Sequence, residues 1–148
     1  MNLQFTFDAS DAVRKLTKLR GALVDFRKPF KDIKSVQLRE VQRVFDTEGA
    51  ATGKKWQSLK QKTIAQRIAS GYGAGPILNR SGTLKKSFKQ KSVSRNKLEI
   101  GSDVKYFQFH QTGTKKTPQR QVLAHTDEMR SRVLKIFTDY IGNIISNG

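Results

Sequence analysis

Phe88-Lys89-Gln90-Lys91-Ser92-Val93-Ser94-Arg95-Asn96-Lys97-Leu98-Glu99-Ile100-Gly101 decides the fold class of this 148-residue chain. Phe88 to Val93 and Lys97 to Gly101 are short runs of strand length. Ser94-Arg95-Asn96, a polar stretch suited to a turn, separates them, so the pair reads as a β-hairpin. Helical periodicity lies on both sides of it. The predicted class is therefore α+β: a small antiparallel or mixed sheet packed against long N-terminal and C-terminal helices. One domain over residues 1–148 is the expected count at this length.

Working towards the N-terminus, Leu3, Phe5 and Phe7 alternate with Asn2, Gln4 and Thr6, the period-two pattern of a half-buried strand. Asp8 or Ser10 is placed to cap a helix whose Val13, Leu16, Leu19 and Leu23 form one apolar stripe. Pro29 suits a helix's first turn, so a second helix is expected from Pro29 to Thr47, with Phe30, Ile33, Val41, Val44 and Phe45 facing inward. Gly49 to Gly53 ends it. Lys54 to Leu59 reads as a loop centred on Trp56, followed by a short helix carrying Leu59, Ile64 and Ile68. The run Gly71-Tyr72-Gly73-Ala74-Gly75-Pro76 predicts a flexible loop near 70–80, and Ser81-Gly82-Thr83-Leu84 opens a turn or short helix.

Towards the C-terminus, a brief helix is expected over Val104 to His110, a mobile loop near 111–120, and a short strand over Gln121 to Ala124. Thr126, with Asp127 and Glu128 behind it, starts a terminal helix. Its expected buried face is Val133, Leu134, Ile136, Phe137, Ile141, Ile144 and Ile145.

Charge is distributed unevenly. The formal net charge is +17, yet no acidic residue falls between Glu48 and Glu99, a stretch that holds Lys54, Lys55, Lys60, Lys62, Arg67, Arg80, Lys85, Lys86, Lys89, Lys91, Arg95 and Lys97. Folded domains usually scatter both signs, so this stretch points to an anionic partner, either nucleic acid or an acidic protein surface. Trp56, Tyr72 and Phe88 are interleaved with the lysines. Trp56 and Phe88 are expected in the core, as large aromatics usually are, and Tyr72 between two glycines is expected at the surface.

Several chemistries lack their residues. With no cysteine there is no disulfide, thiolate metal site or thiol nucleophile. His110 and His125 are the only histidines, and Asp127 is the one acid near His125, so no metal site is predicted. Gly49 to Lys55 is one residue short of a phosphate-binding loop, and Lys55 stands where a Ser or Thr ligand for magnesium belongs. No serine occupies a nucleophile elbow. The expectation is a protein without enzymatic activity or cofactors. No apolar run reaches the ~18 residues of a membrane span, and the N-terminus is unlike a secretory signal, so a soluble cytoplasmic protein is expected.

The order of landmarks carries a resemblance. Gly53-Lys54-Lys55-Trp56 with Leu59, Thr63 and Arg67 precedes Leu78, Ser81, Gly82, Leu84 and Ser87; Gly101, then Tyr106 and His110-Gln111-Thr112-Gly113, then Pro118 and Arg120 follow. This resembles the phage virion morphogenesis (tail completion) family of Mu-like tailed phages, over roughly Phe45 to Leu123. The resemblance implies a non-catalytic structural protein that completes the tail or joins head and tail at the neck. It implies other phage tail or neck proteins as partners, a homo-oligomeric ring such as a hexamer, assembly in the host cytoplasm, and residence in the virion. Gly82 and Gly113 match family glycines and are the expected hinge points. Trp56 and Leu84 match apolar positions expected to anchor loops to the core.

The chain departs from the family pattern at Gln121 to His125 and at Phe107. Six copies would bring about 100 positive charges together, repelling wherever they come within a screening length of ~8 Å. The expected contacts to an anionic partner, including sequence-independent contact with DNA, are Lys54, Lys55, Lys60, Lys62, Lys85, Lys86, Lys89, Lys91, Lys115 and Lys116. The alternative reading is a cytoplasmic, sequence-independent nucleic-acid-binding module using the same stretch.

Overall fold

The computed structural model describes residues 8–147. Helix α1 (Ser10–Ala22) and α2 (Arg27–Asp46) lead into a 3-10 turn at Ala50–Thr52. Then follow α3 (Gln61–Ala69), α4 (Thr83–Lys86), β1 (Lys89–Val93), β2 (Leu98–Gly101), α5 (Phe107–Thr112) and α6 (Asp127–Ser146). The fold is mixed α+β, with helices at both ends of the described chain. Its sheet is the predicted hairpin: β1 and β2 pair antiparallel, with a bulge between Gln90 and Ser92.

Helix α2 organises the core. Phe30, Ile33, Val41, Val44 and Phe45 recur at helical spacing and are all buried, so one face of α2 is apolar from end to end. Phe45 meets Trp56 and Phe88 edge-on at 5.6 and 6.0 Å, and Phe88 meets Phe107 at 5.0 Å. This T-shaped chain ties α2 to the loop after it, the start of the hairpin and α5, in the geometry that aromatic quadrupoles favour. Ile77, Leu84 and Val122 complete the cluster.

Helix α6 packs on the N-terminal part of the same face of α2, where Phe30 meets Phe137 at 6.2 Å. Its cap is the predicted Thr126, whose side chain accepts from Met129 N at 3.1 Å. Arg43 of α2 reaches Glu128 at 3.2 Å, Phe137 stands edge-on to Phe26 at 5.5 Å, and the Tyr140 hydroxyl donates to Asp25 O at 3.3 Å. Phe26 N donates to Arg95 O at 2.6 Å, fastening the hairpin turn to the joint between α1 and α2.

The structure corrects several expectations. At α1 it is Ala9 that holds the cap position, and Asp8 Oδ1 accepts from Ser10 N, so Ser10 is not a cap. The α1 stripe is only partly covered: α1 lies against α6 and Leu19 is half-buried, but no residue of α1 is fully buried, and Val13 and Leu16 are 59% and 64% exposed. Only Met129 of α6 is fully buried, while Leu134 and Ile145 lie open. In α3 it is Arg67 that is buried and Ile68 that faces outward. Gln121 to Ala124 forms no strand, because a side chain rather than a neighbouring strand satisfies its backbone. The expected strand at Leu3, Phe5 and Phe7 lies outside the described residues.

Candidate functional site

The residues singled out in the sequence fall into two groups. One group is a scaffold around the segment 119–123. Gln111, on α5, places its amide against that segment: Oε1 accepts from Val122 N at 2.9 Å and Leu123 N at 3.1 Å, and Nε2 donates to Leu123 O at 2.6 Å. One side chain thereby does what a paired strand would do. Trp56 Nε1 donates to Gln121 O at 2.9 Å, and the buried Arg120 donates Nε and Nη2 to Gln57 O at 3.1 and 2.9 Å. Arg120 N donates to His110 O at 2.7 Å. The loop expected to be mobile is thus tied at its far end, and Gln119 Nε2 adds a bond to Gln111 O.

Gly113 has φ of +76°, and a Cβ there would lie 3.0 Å from Gln119 N, so glycine lets the two stretches meet. Gly49 plays the same part beneath Trp56: its φ is +89°, and a Cβ would sit 2.4 Å from Trp56 Cδ1. Neither Gly49 nor the acceptors Gln57 and Gln121 was foreseen; the contact is between backbone and ring, for which a sequence has no periodic signal.

Burial within this scaffold shifts two titrating groups. Desolvation, helped by the Arg120 charge, pushes the His110 imidazole below its ordinary value, and burial alone lowers Arg120. His110 stands edge-on to the half-open Tyr106, with its Nδ1 buried and lacking a protein partner. Leu59 and Leu78 pack on the core, Leu78 with φ of +56°. Ser81 Oγ bonds Thr83 Oγ1 at 2.8 Å ahead of α4, where Gly82 has φ of +78°. Arg67 is 5% exposed and donates Nη1 to Pro76 O at 3.0 Å; its Nε and Nη2 have no protein partner. Thr63 lies half-buried in α3, Gly101 ends β2, and Pro118 is half-buried beside the 119–123 segment.

The second group is cationic, and the fold divides it. Lys85 pairs with Asp46, and Lys89 and Lys91 share Asp103, so acids flanking the basic stretch in sequence reach back to offset part of its charge. These three lysines were expected to contact a partner; in the fold each lies in an ion pair with an acid, Lys89 still 62% exposed. Lys54, Lys55, Lys60, Lys62 and Lys86 are exposed and form no ion pair among the described residues, and the same holds for Lys115 and Lys116. Lys60 occupies the cap position of α3 and Lys62 its first turn, with no acid beside them. That end of a helix carries partial positive charge, so cations there cost ~0.3–1 kcal/mol rather than stabilise. Stability does not explain their placement.

Among the described residues no three His, Asp or Glu side chains converge as metal ligands, and no helix is long and apolar enough to cross a membrane. The model of the phage virion morphogenesis family matches residues 8–142. Mu-like prophage FluMu G protein 1 of Haemophilus influenzae is 30% identical over 123 residues, covering 83% of this chain and 84% of that protein. No solved structure gives a significant match. A family match running from the start of α1 into α6 spans both the scaffold and the cationic surface: the chain belongs to the phage virion morphogenesis family.

Proposed function

We propose that this protein completes the tail or joins head and tail at the neck, without catalysis, as one subunit of a homo-oligomeric ring. Membership of the family supports an assembly role with other phage proteins. The observation that carries the finer reading is the unpaired cationic run Lys54, Lys55, Lys60 and Lys62. It sits on a loop and a helix start, where the partial positive charge of the helix end repels Lys60 and Lys62 at a cost.

An anionic counterpart offsets that cost, because it meets both the ammonium groups and the N–H groups at the start of α3. In a ring, like charges at subunit contacts would repel, so this run faces the lumen, where DNA passes. Such contact neutralises phosphates without reading bases, and it weakens as salt rises because the counterions it displaces gain less entropy on release into a saltier solution.

Two measurements test the reading. Imaging particles assembled without this protein should show heads and tails left unjoined, or tails unfinished; complete particles in normal number would contradict it. Binding of the full-length protein to random duplex should fall by at least tenfold between ~50 and ~200 mM salt. Binding that ignores salt, or requires one defined sequence, would remove the DNA contact and leave an acidic protein as the counterpart.

A further inference from the structure

The two edges of the hairpin differ. β1 carries the bulge, and its Lys89 and Lys91 are drawn to Asp103; bulges and edge lysines discourage further pairing. β2 runs without a bulge from Leu98 to Gly101 and has β1 as its single strand neighbour among the described residues. Beside β2, between the hairpin, α2 and α6, lies an apolar groove of about 1010 Å³. Leu98, Glu99 and Ile100 of β2 line one wall, joined by the turn residues Asn96 and Lys97 and by Lys91 of β1. Leu98 and Ile100 are half-buried there, Phe30 and Ile33 of α2 form the floor, and Leu134 and Phe137 of α6 form the far wall. The slot has the requirements of a strand: free backbone groups on one side and apolar pockets on the other.

The chain itself contains a stretch of that chemistry. In Asn2 to Phe7, Leu3, Phe5 and Phe7 alternate with polar residues, and no side chain is charged. It can therefore approach the Lys91, Lys97 and Arg130 side chains that rim the groove without like-charge repulsion. The stretch leads into α1, where α6 covers Leu19 only in part and Val13 and Leu16 stay exposed. The sequence of Asn2 to Phe7 thus has the alternation of a half-buried strand, and the start of α1 beside it carries exposed apolar side chains.

We propose that Asn2 to Phe7 of one copy adds as a third strand to the β2 edge of a second copy, with Leu3, Phe5 and Phe7 entering the groove. Each copy then donates an arm and accepts one, a head-to-tail contact of the kind that closes rings. This rests on the oligomeric assembly proposed above.

The absence of native cysteine allows a direct test. Gln4 and Thr6 alternate with the apolar residues, and Lys97 and Glu99 are the exposed positions flanking Leu98 on β2. Chains carrying Gln4→Cys or Thr6→Cys are mixed with chains carrying Lys97→Cys or Glu99→Cys, oxidised mildly, and run on a non-reducing gel. At least one pairing should give a mixed-chain disulfide dimer, with none from a Ser70→Cys control. Overturning results are no mixed dimer from any of the four pairings, or closure only within one chain in the Thr6→Cys/Glu99→Cys double variant. The same chains are then followed into phage particles. Incorporation without the cross-link overturns strand donation and leaves the assembly role standing, whereas exclusion of the unmutated chain from particles overturns the assembly role.

Discussion

Gln111 is the residue on which the segment after α5 depends. Its amide satisfies two N–H groups and one carbonyl of Val122 and Leu123. Gln111→Leu removes all three bonds at once and leaves backbone groups unpaired beside the buried Val122. A loss of about 2–4 kcal/mol is expected in chemical denaturation, since each orphaned group costs ~1–3 kcal/mol. Gly113→Ala should cost about 1–3 kcal/mol, because alanine at φ of +76° is strained and its Cβ presses on Gln119 N.

His110 predicts a pH dependence. Its folded value lies below the ordinary 6.5, so the unfolded chain binds the proton more readily. Stability attributable to His110 is complete above the ordinary value and is lost as pH falls from there through the folded one. Melting temperature should drop between about pH 7 and 5 in the natural protein, and His110→Gln should flatten that slope. A variant with an unchanged slope would show that the imidazole does not titrate against folding.

At the scale of elements, legibility followed periodicity. The inward face of α2 could be read because Phe30, Ile33, Val41, Val44 and Phe45 repeat with the helix and are buried by their own chain. The hairpin was legible from its polar turn and from strand-length runs on either side. In α1 and α6 the stripes were equally visible, yet Val13, Leu16 and Leu134 stay exposed. Amphipathicity states that a face needs cover, and the cover need not come from the same molecule.

The Gln111 scaffold was named only through family resemblance. A side chain that bonds a backbone eleven residues away leaves no pattern in composition or spacing. The basic stretch was legible as charge, whereas its division into paired and unpaired halves was not, because Asp46 and Asp103 reach their lysines only through the fold. Neutralising the paired half with Lys89→Gln/Lys91→Gln should therefore change affinity for random duplex less than twofold. Neutralising Lys54, Lys55, Lys60 and Lys62 should lower it at least tenfold and flatten its salt dependence, as loss of phosphate contacts does. Equal effects from the two halves would mean that the ion pairs open on binding.

For the whole molecule, a net charge of +17 is a liability when copies gather, and it becomes an asset only opposite an anion. The scaffold holds the loop and helix start that display the unpaired lysines, while Val13, Leu16 and Leu134 leave apolar surface exposed. The most direct measurement is a count of complete particles assembled with Lys54→Gln/Lys55→Gln/Lys60→Gln/Lys62→Gln, after the variant's melting temperature has been matched to that of the natural protein. A folded variant that leaves heads and tails unjoined is the predicted result; complete particles in normal number would contradict an anionic counterpart for this surface.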